Sequence, residues 1–217
     1  AREIGPGAVR LWDARTGRML LRLGGAEDQI MAVAISPDGR HVASGGGIAG
    51  GKGAIRVWNA ETGAAIWSLD DQASEVLAVA FAPDGSTLAS GTADGLVKIL
   101  DARTGSPKQT YPDHRGGATS VTFSPDGKSL VCGQGHSGAR VWDVQTGRLL
   151  QACEIDESRA KAFAIDRLIN SIGVSRHGSA LATCNSSINN EFVEAVRIWD
   201  PRTGALVRDF TAENIHG

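Results

Sequence analysis

Residues 76–105 read VLAVAFAPDGSTLASGTADGLVKILDARTG, and this stretch decides the fold. Two short apolar runs, AVAFA at 78–82 and TLAS at 87–90, flank Pro83-Asp84-Gly85. Short alternating runs of this kind fit strands, and Pro-Asp-Gly between them signals a tight turn. A third run, VKIL at 97–100, ends in a second turn at Thr104-Gly105. A fourth apolar run follows such a turn elsewhere in the chain, as in MLLRL at 19–23. Four strands and their turns make one unit.

The unit recurs. VRLWDARTG at 9–17, IRVWNAETG at 55–63, VKILDARTG at 97–105, VWDVQTG at 141–147 and VRIWDPRTG at 196–204 are related segments. Between them lie SPDG at 36–39, APDG at 82–85, SPDG at 124–127 and a decayed SRHG at 175–178. Trp12, Trp58, Leu100, Trp142 and Trp199 stand 46, 42, 42 and 57 residues apart. Two motifs in fixed order at this spacing mark an internal repeat. One four-stranded antiparallel unit is too small to be stable alone, and stacking units radially buries each sheet between its neighbours. A two-sheet sandwich would not need so regular a repeat.

Residues 30–63, 76–105 and 118–147 resemble the bacterial form of the WD-repeat family, on the SPDG turn, the Trp-Asp pair and the TG that follows. The resemblance implies a β-propeller and no particular activity, because this fold hosts many functions. With strands labelled a to d along each unit, an all-β fold of four complete blades is expected at 30–69, 76–111, 118–153 and 169–210. A c–d half-blade precedes them at 8–23, all within one domain over 1–217. Such a ring is incomplete, and open rings expose sheet faces and edges. The missing strands are expected from sequence outside these residues, with another subunit as the alternative. The only helical pattern is ESRAKAFAIDRLI at 157–169, a candidate short surface helix.

Composition narrows the function. The net charge of −2 lacks the basic surplus of a dedicated nucleic-acid binder, so no nucleic-acid partner is expected. No apolar stretch reaches the length of a membrane span, and no membrane insertion is expected. Cys132, Cys153 and Cys184 are odd in number and far apart, which fits reduced thiols in a cytoplasmic setting. The chain opens at Ala1 without an initiator Met, which leaves export of the parent protein open.

Loop lengths single out one face. Strand direction alternates within a blade, so a–b and c–d turns share one face and b–c and d–a loops the other. From the Trp position to the next turn glycine the spacing is 27 residues three times (12→39, 58→85, 100→127) but 36 at 142→178. From that glycine to the next Trp position it is 15 twice, 19 at 39→58 and 21 at 178→199. Every insertion falls on the b–c and d–a face, where variable loops on a rigid scaffold carry binding. Drift in unselected loops is the plain alternative. Candidate contacts are Lys52 in the Gly-rich loop and Asp156, Glu157, Arg159, Lys161 and Phe163 in the longest one. Asn189, Glu191, Phe192 and Glu194 complete the set in the last loop. Phe192 is an aromatic in a polar loop and suits a buried anchor, or else packs against the blade edge.

Other motifs carry less. GGIAGGKG at 46–53 nearly matches a phosphate loop but lacks the Ser or Thr after Lys52 and a following helix. GQGHSG at 133–138 fits a dinucleotide fingerprint yet sits between two strands. His114 and His136 read as structural, in a family network that would join His114 to Trp142 with Cys132 replacing a serine; their spacing does not suit zinc. A basic residue two positions before each Trp site, at Arg10, Arg56, Lys98, Arg140 and Arg197, suggests pairing with acidic turn residues between blades. No catalytic arrangement and no cofactor motif stands out. The expected function is a non-enzymatic scaffold binding a protein partner through the b–c and d–a loops. Two rivals remain: a sensor or regulatory domain of a larger enzyme, and a propeller with a small-ligand or catalytic site in its channel.

Overall fold

The computed structural model describes residues 7–25, 29–48, 50–111, 116–134, 138–154, 167–187 and 195–211. Among these residues every regular element is a strand. The half-blade is β1 (Val9–Trp12) with β2 (Met19–Leu23). Blade 1 holds β3 (Gln29–Ile35), β4 (His41–Gly47), β5 (Gly53–Asn59) and β6 (Ala65–Gln72). Blade 2 holds β7 (Val76–Phe81), β8 (Thr87–Thr92), β9 (Val97–Asp101) and β10 (Pro107–Tyr111). Blade 3 follows with β11 (Ala118–Phe123), β12 (Ser129–Gln134), β13 (Gly138–Asp143) and β14 (Leu149–Glu154). Blade 4 is β15 (Arg167–Val174), β16 (Leu181–Ser187), β17 (Ala195–Trp199) and β18 (Leu206–Thr211). Within each sheet the strands pair antiparallel in chain order, and no strand crosses to another sheet. The fold is a β-propeller with an open ring. The candidate helix at 157–169 is corrected at its end: residues 167–169 belong to β15, and 155–166 lie outside the described residues.

The a strands β3, β7, β11 and β15 pack one beside the next, so the sheets stack face to face in chain order. The core is therefore a series of inter-blade clusters. Val9, Leu23, Val42 and Trp58 join the half-blade to blade 1. Ile55, Val57, Val76, Leu88 and Leu100 join blades 1 and 2. Tyr111, Val121, Phe123, Leu130 and Trp142 join blades 2 and 3, and Val131, Val141, Leu181 and Trp199 join blades 3 and 4. Each fully buried side chain of this size contributes about 1.5–3 kcal/mol, and each acts across two sheets only.

A glycine on strand b sets how closely the sheets approach. A Cβ on Gly45 would lie 2.5 Å from Val76 Cγ1, and one on Gly133 would lie 2.9 Å from Ile169 Cγ2. At Gly91 it would lie 2.6 Å from the carbonyl oxygen of Ala118. The same register position therefore receives the a strand of the next blade three times over. At the outer side of the stack, a strand-d side chain slides under the TG glycine of the following blade. Leu21 meets Gly63, Trp67 meets Gly105, Gln109 meets Gly147 and Gln151 meets Gly204. Where blade 2 has Leu100 instead of Trp, Trp67 fills the interface from the preceding blade and donates its indole N–H to the carbonyl of Ala102 at 2.9 Å.

Candidate partner-binding surface

The turns gather on one side of the stack. Backbone hydrogen bonds from Ala60 to the Arg40 carbonyl, Ala102 to Ser86 and Val144 to Lys128 tie the c–d turn to the a–b turn in blades 1, 2 and 3. Gly17, Gly39, Gly63, Gly85, Gly105, Gly127, Gly147, Gly178 and Gly204 all turn at φ between 65° and 74°, which L side chains rarely adopt. Clefts separate adjacent a–b turns. One is lined by Pro83, Asp84, Pro125 and Asp126, and another by Ser124, Asp126, Arg176 and His177.

The turn carboxylates are occupied by their own backbone. Asp13, Asp101 and Asp143 accept from N–H groups two or three residues on, and Asp38 and Asp126 also accept from Ser36 and Ser124 hydroxyls. These bonds favour the ionised form and hold the carboxyls below their ordinary range. Asp101 goes furthest, to about 2, chiefly because Lys108 Nζ lies 3.0 Å away. Asn59 takes the same place in blade 1 and accepts the same two backbone bonds without a titratable group.

A carboxylate whose native pKa is depressed stabilises the fold above its unfolded value of about 3.8. That contribution fades as the pH falls towards the native value. Asp101→Asn should keep the turn but lose the Lys108 pair. Its urea midpoint should lie below wild type at neutral pH, and the two should converge between about pH 4 and pH 2. An offset that stayed constant over the whole range would count against this account.

The opposite side carries the b–c and d–a loops. Ala93 donates to the carbonyl of Glu75, binding the b–c loop of blade 2 to the d–a loop before it, and Gly117 of the next d–a loop approaches Ala93 from the other side. In blade 1, Gly47 and Gly53 at the two ends of the b–c loop press on Glu75 and Ser74. The inserted 48–52 segment thus stands beside the d–a loop. Lys52 is exposed at its tip, where Gly51 N–H closes a turn onto Ile48. Ile48, exposed in the same loop, belongs with the candidate contacts. Its signal in the sequence is a lone branched apolar residue among glycines. Asp156, Glu157, Arg159, Lys161, Phe163, Asn189, Glu191, Phe192 and Glu194 lie outside the described residues, as do His114 and His136.

Two sequence expectations change in detail. Three of the repeated basic residues pair with strand d of their own blade rather than with turns. Arg56 meets Asp70 at 2.6 Å, Arg197 meets Asp209 at 3.3 Å and Arg140 meets Glu154 at 4.0 Å. Lys98 instead reaches the preceding blade, donating to Gln72 Oε1 at 2.9 Å. The Trp network varies blade by blade. Trp199 Nε1 donates to Thr183 Oγ1 at 3.0 Å, Trp58 Nε1 donates to the Gly24 carbonyl, and in blade 2, which has Leu100, the buried Ser90 hydroxyl has no hydrogen-bond partner among the described residues.

Burial grades these ion pairs. Arg197 is 3% and Asp209 26% exposed at the side chain, whereas Asp70 is 55% exposed. Removing one partner of a largely buried pair costs more than removing one from an exposed pair, which contributes little. Asp209→Ala should therefore cost about 2 kcal/mol, and Asp70→Ala no more than about 0.5 kcal/mol. Equal losses for the two in chemical unfolding would contradict this ranking.

Among the described residues no helix is long and apolar enough to cross a membrane. Family models match the chain as the WD domain, G-beta repeat, at residues 17–59 and 105–143. The Anaphase-promoting complex subunit 4 WD40 domain matches at 48–118. Comparison with curated protein sequences finds no match. A chain in the crystal structure of the Mitotic Checkpoint Complex superposes with a TM-score of 0.77 at 23% identity, over 95% of this chain and 61% of that one. This chain thus spans about three-fifths of that neighbour's length, and the likeness concerns the fold. The repeats, the a-to-d sheets and the matched models agree: the chain belongs to the WD-repeat family.

Proposed function

We propose that the chain is a non-catalytic scaffold, a single propeller domain that binds a protein partner through the face formed by its d–a and b–c loops. WD-repeat propellers generally serve as protein-interaction scaffolds and are typically not catalysts. The observation that carries the choice of face is the confinement of every length change to one side. The turn side is built from repeated glycine turns whose carboxylates are already engaged. On the loop side Lys52 and Ile48 stand exposed in an inserted segment. The mitotic checkpoint neighbour is itself part of a protein complex, which accords with this use of the fold.

Phe192 is the proposed anchor, with the acidic and basic residues of 154–161 as its polar rim. Truncating a true anchor costs about 2 kcal/mol or more of binding, whereas rim changes cost little. Phe192→Ala should weaken a captured partner roughly 30-fold and leave the unfolding midpoint in place. A variant that loses stability but keeps its affinity would show packing rather than recognition.

A further inference from the structure

The a–b turn of blade 4 departs from the other three in a way that closing the turn does not require. In blades 1 to 3 the turn aspartate, Asp38, Asp84 or Asp126, accepts the N–H of Arg40, Ser86 or Lys128 and stays bound to its own backbone. Blade 4 has Arg176-His177 where the others have Pro-Asp. Its turn closes all the same. Gly178 keeps φ at 65°, and Ser175 Oγ accepts the N–H of Ser179 at 3.1 Å and of Ala180 at 3.0 Å. The side chains of Arg176 and His177 are thereby released from turn work. Both residues are exposed, and neither side chain has an ion pair or hydrogen bond among the described residues.

The two side chains line a cleft between the a–b turns of blades 3 and 4, together with Ser124, Pro125, Asp126 and Ser129. Its volume is about 400 Å³, at the small end of what ligand sites occupy. The cleft between the turns of blades 2 and 3 is nearly the same size and serves as an internal comparison, since its only ionisable residues are Asp84 and Asp126. One step along the stack, two carboxylates become one carboxylate with a guanidinium and an imidazole.

We propose that this cleft binds an acidic side chain carried by a peptide segment. Arg176 brings a fixed positive charge and a planar fork of N–H donors that matches a carboxylate or a phosphate ester. The His177 ring and the Ser129 hydroxyl each add a donor. Asp126 accepts from Ser124 and Lys128 through one carboxylate oxygen, which leaves the other to receive a peptide N–H beside the acidic side chain. Its negative charge also repels a bare anion. An acidic residue within a polypeptide satisfies both halves of the cleft, whereas a free anion satisfies one. The cleft lies on the turn face, so it is separate from the loop-face site.

The probes are N-acetyl-glutamate methylamide and N-acetyl-phosphoserine methylamide, titrated separately into the isotope-labelled 217-residue chain and followed by amide NMR shifts. Sodium acetate and sodium phosphate are the matched free anions. At least one of the two amides should shift Lys128, Ser129 and Gly178 saturably, at least about tenfold more tightly than its matched anion. The tighter of the two identifies the source as a carboxylate or a phosphate ester. Arg176→Pro with His177→Asp restores the turn of the other blades, so it should keep the unfolding midpoint and lose these shifts. Arg176→Gln alone should weaken binding at least about tenfold. Lys52→Ala, on the loop face, should leave binding unaltered, which keeps failure here apart from failure of the loop-face reading. No saturable shift with either amide, shifts that persist in the restored turn, or equal binding of the free anions (an adventitious ion only) would overturn the proposal.

Discussion

Gly91→Ala is expected to destabilise the chain by about 3 kcal/mol, although it adds a single methyl group. The new Cβ would sit 2.6 Å from the Ala118 carbonyl oxygen and 2.9 Å from the Ala118 Cβ. Both belong to β11 of the next blade. A flexible side chain could swing aside, but a backbone oxygen moves only with its strand. Relief therefore requires blades 2 and 3 to separate, which opens the cluster around Tyr111, Val121 and Leu130. Gly39→Ala is the control. Gly39 turns at φ +72° with no atom within 4 Å of its would-be Cβ, so only backbone strain applies, about 1 kcal/mol. Urea unfolding separates the two. If Gly91→Ala costs no more than Gly39→Ala, the sheets are not held at the spacing described.

Trp58→Ala should cost about 3–5 kcal/mol, the usual range for deleting a large buried ring. Trp58 is 1% exposed and lies between β5 and the half-blade, with its indole N–H on the Gly24 carbonyl. It is the largest side chain in the cluster that holds β1 and β2 on blade 1. Its loss should free the half-blade first, so limited proteolysis should cut near residues 24–25 before the rest of the chain unfolds. Trp12, in the same repeat position, is 57% exposed, with no sheet packed on it among the described residues. Trp12→Ala should change stability by no more than about 0.5 kcal/mol. Equal losses for the two tryptophans would mean that the half-blade is not packed as described.

The architecture was legible because its turns demand particular residues. Pro-Asp-Gly and Thr-Gly require a glycine with positive φ and an acceptor side chain, so the motifs survive in nearly every unit. The strands between them read from short apolar runs for the same reason. The devices that join blades were harder to read. Gly45, Gly91 and Gly133 lie inside strands, where glycine reads as a weak strand residue unless a close neighbouring backbone is already suspected. Trp67 lies in a d strand outside both repeated motifs, and only the packing shows that it fills the interface where Leu100 replaces the ring. The 157–169 pattern failed as a helix at 167–169 because Ile169 is drawn into the blade 3 interface against Gly133. For the candidate site, the sequence identified Lys52 but passed over Ile48, since exposure depends on the path of the loop rather than on composition.

The claim at the centre of this account is that partner binding occupies the loop face. Site-specific photo-crosslinking tests it most directly, with a photoreactive phenylalanine placed singly at Lys52 on the loop face and at Arg103 in a c–d turn on the other. With the partner bound, the residue at 52 should crosslink to it and the residue at 103 should not. Crosslinks from 103 without crosslinks from 52 would place recognition on the turn face and contradict the account.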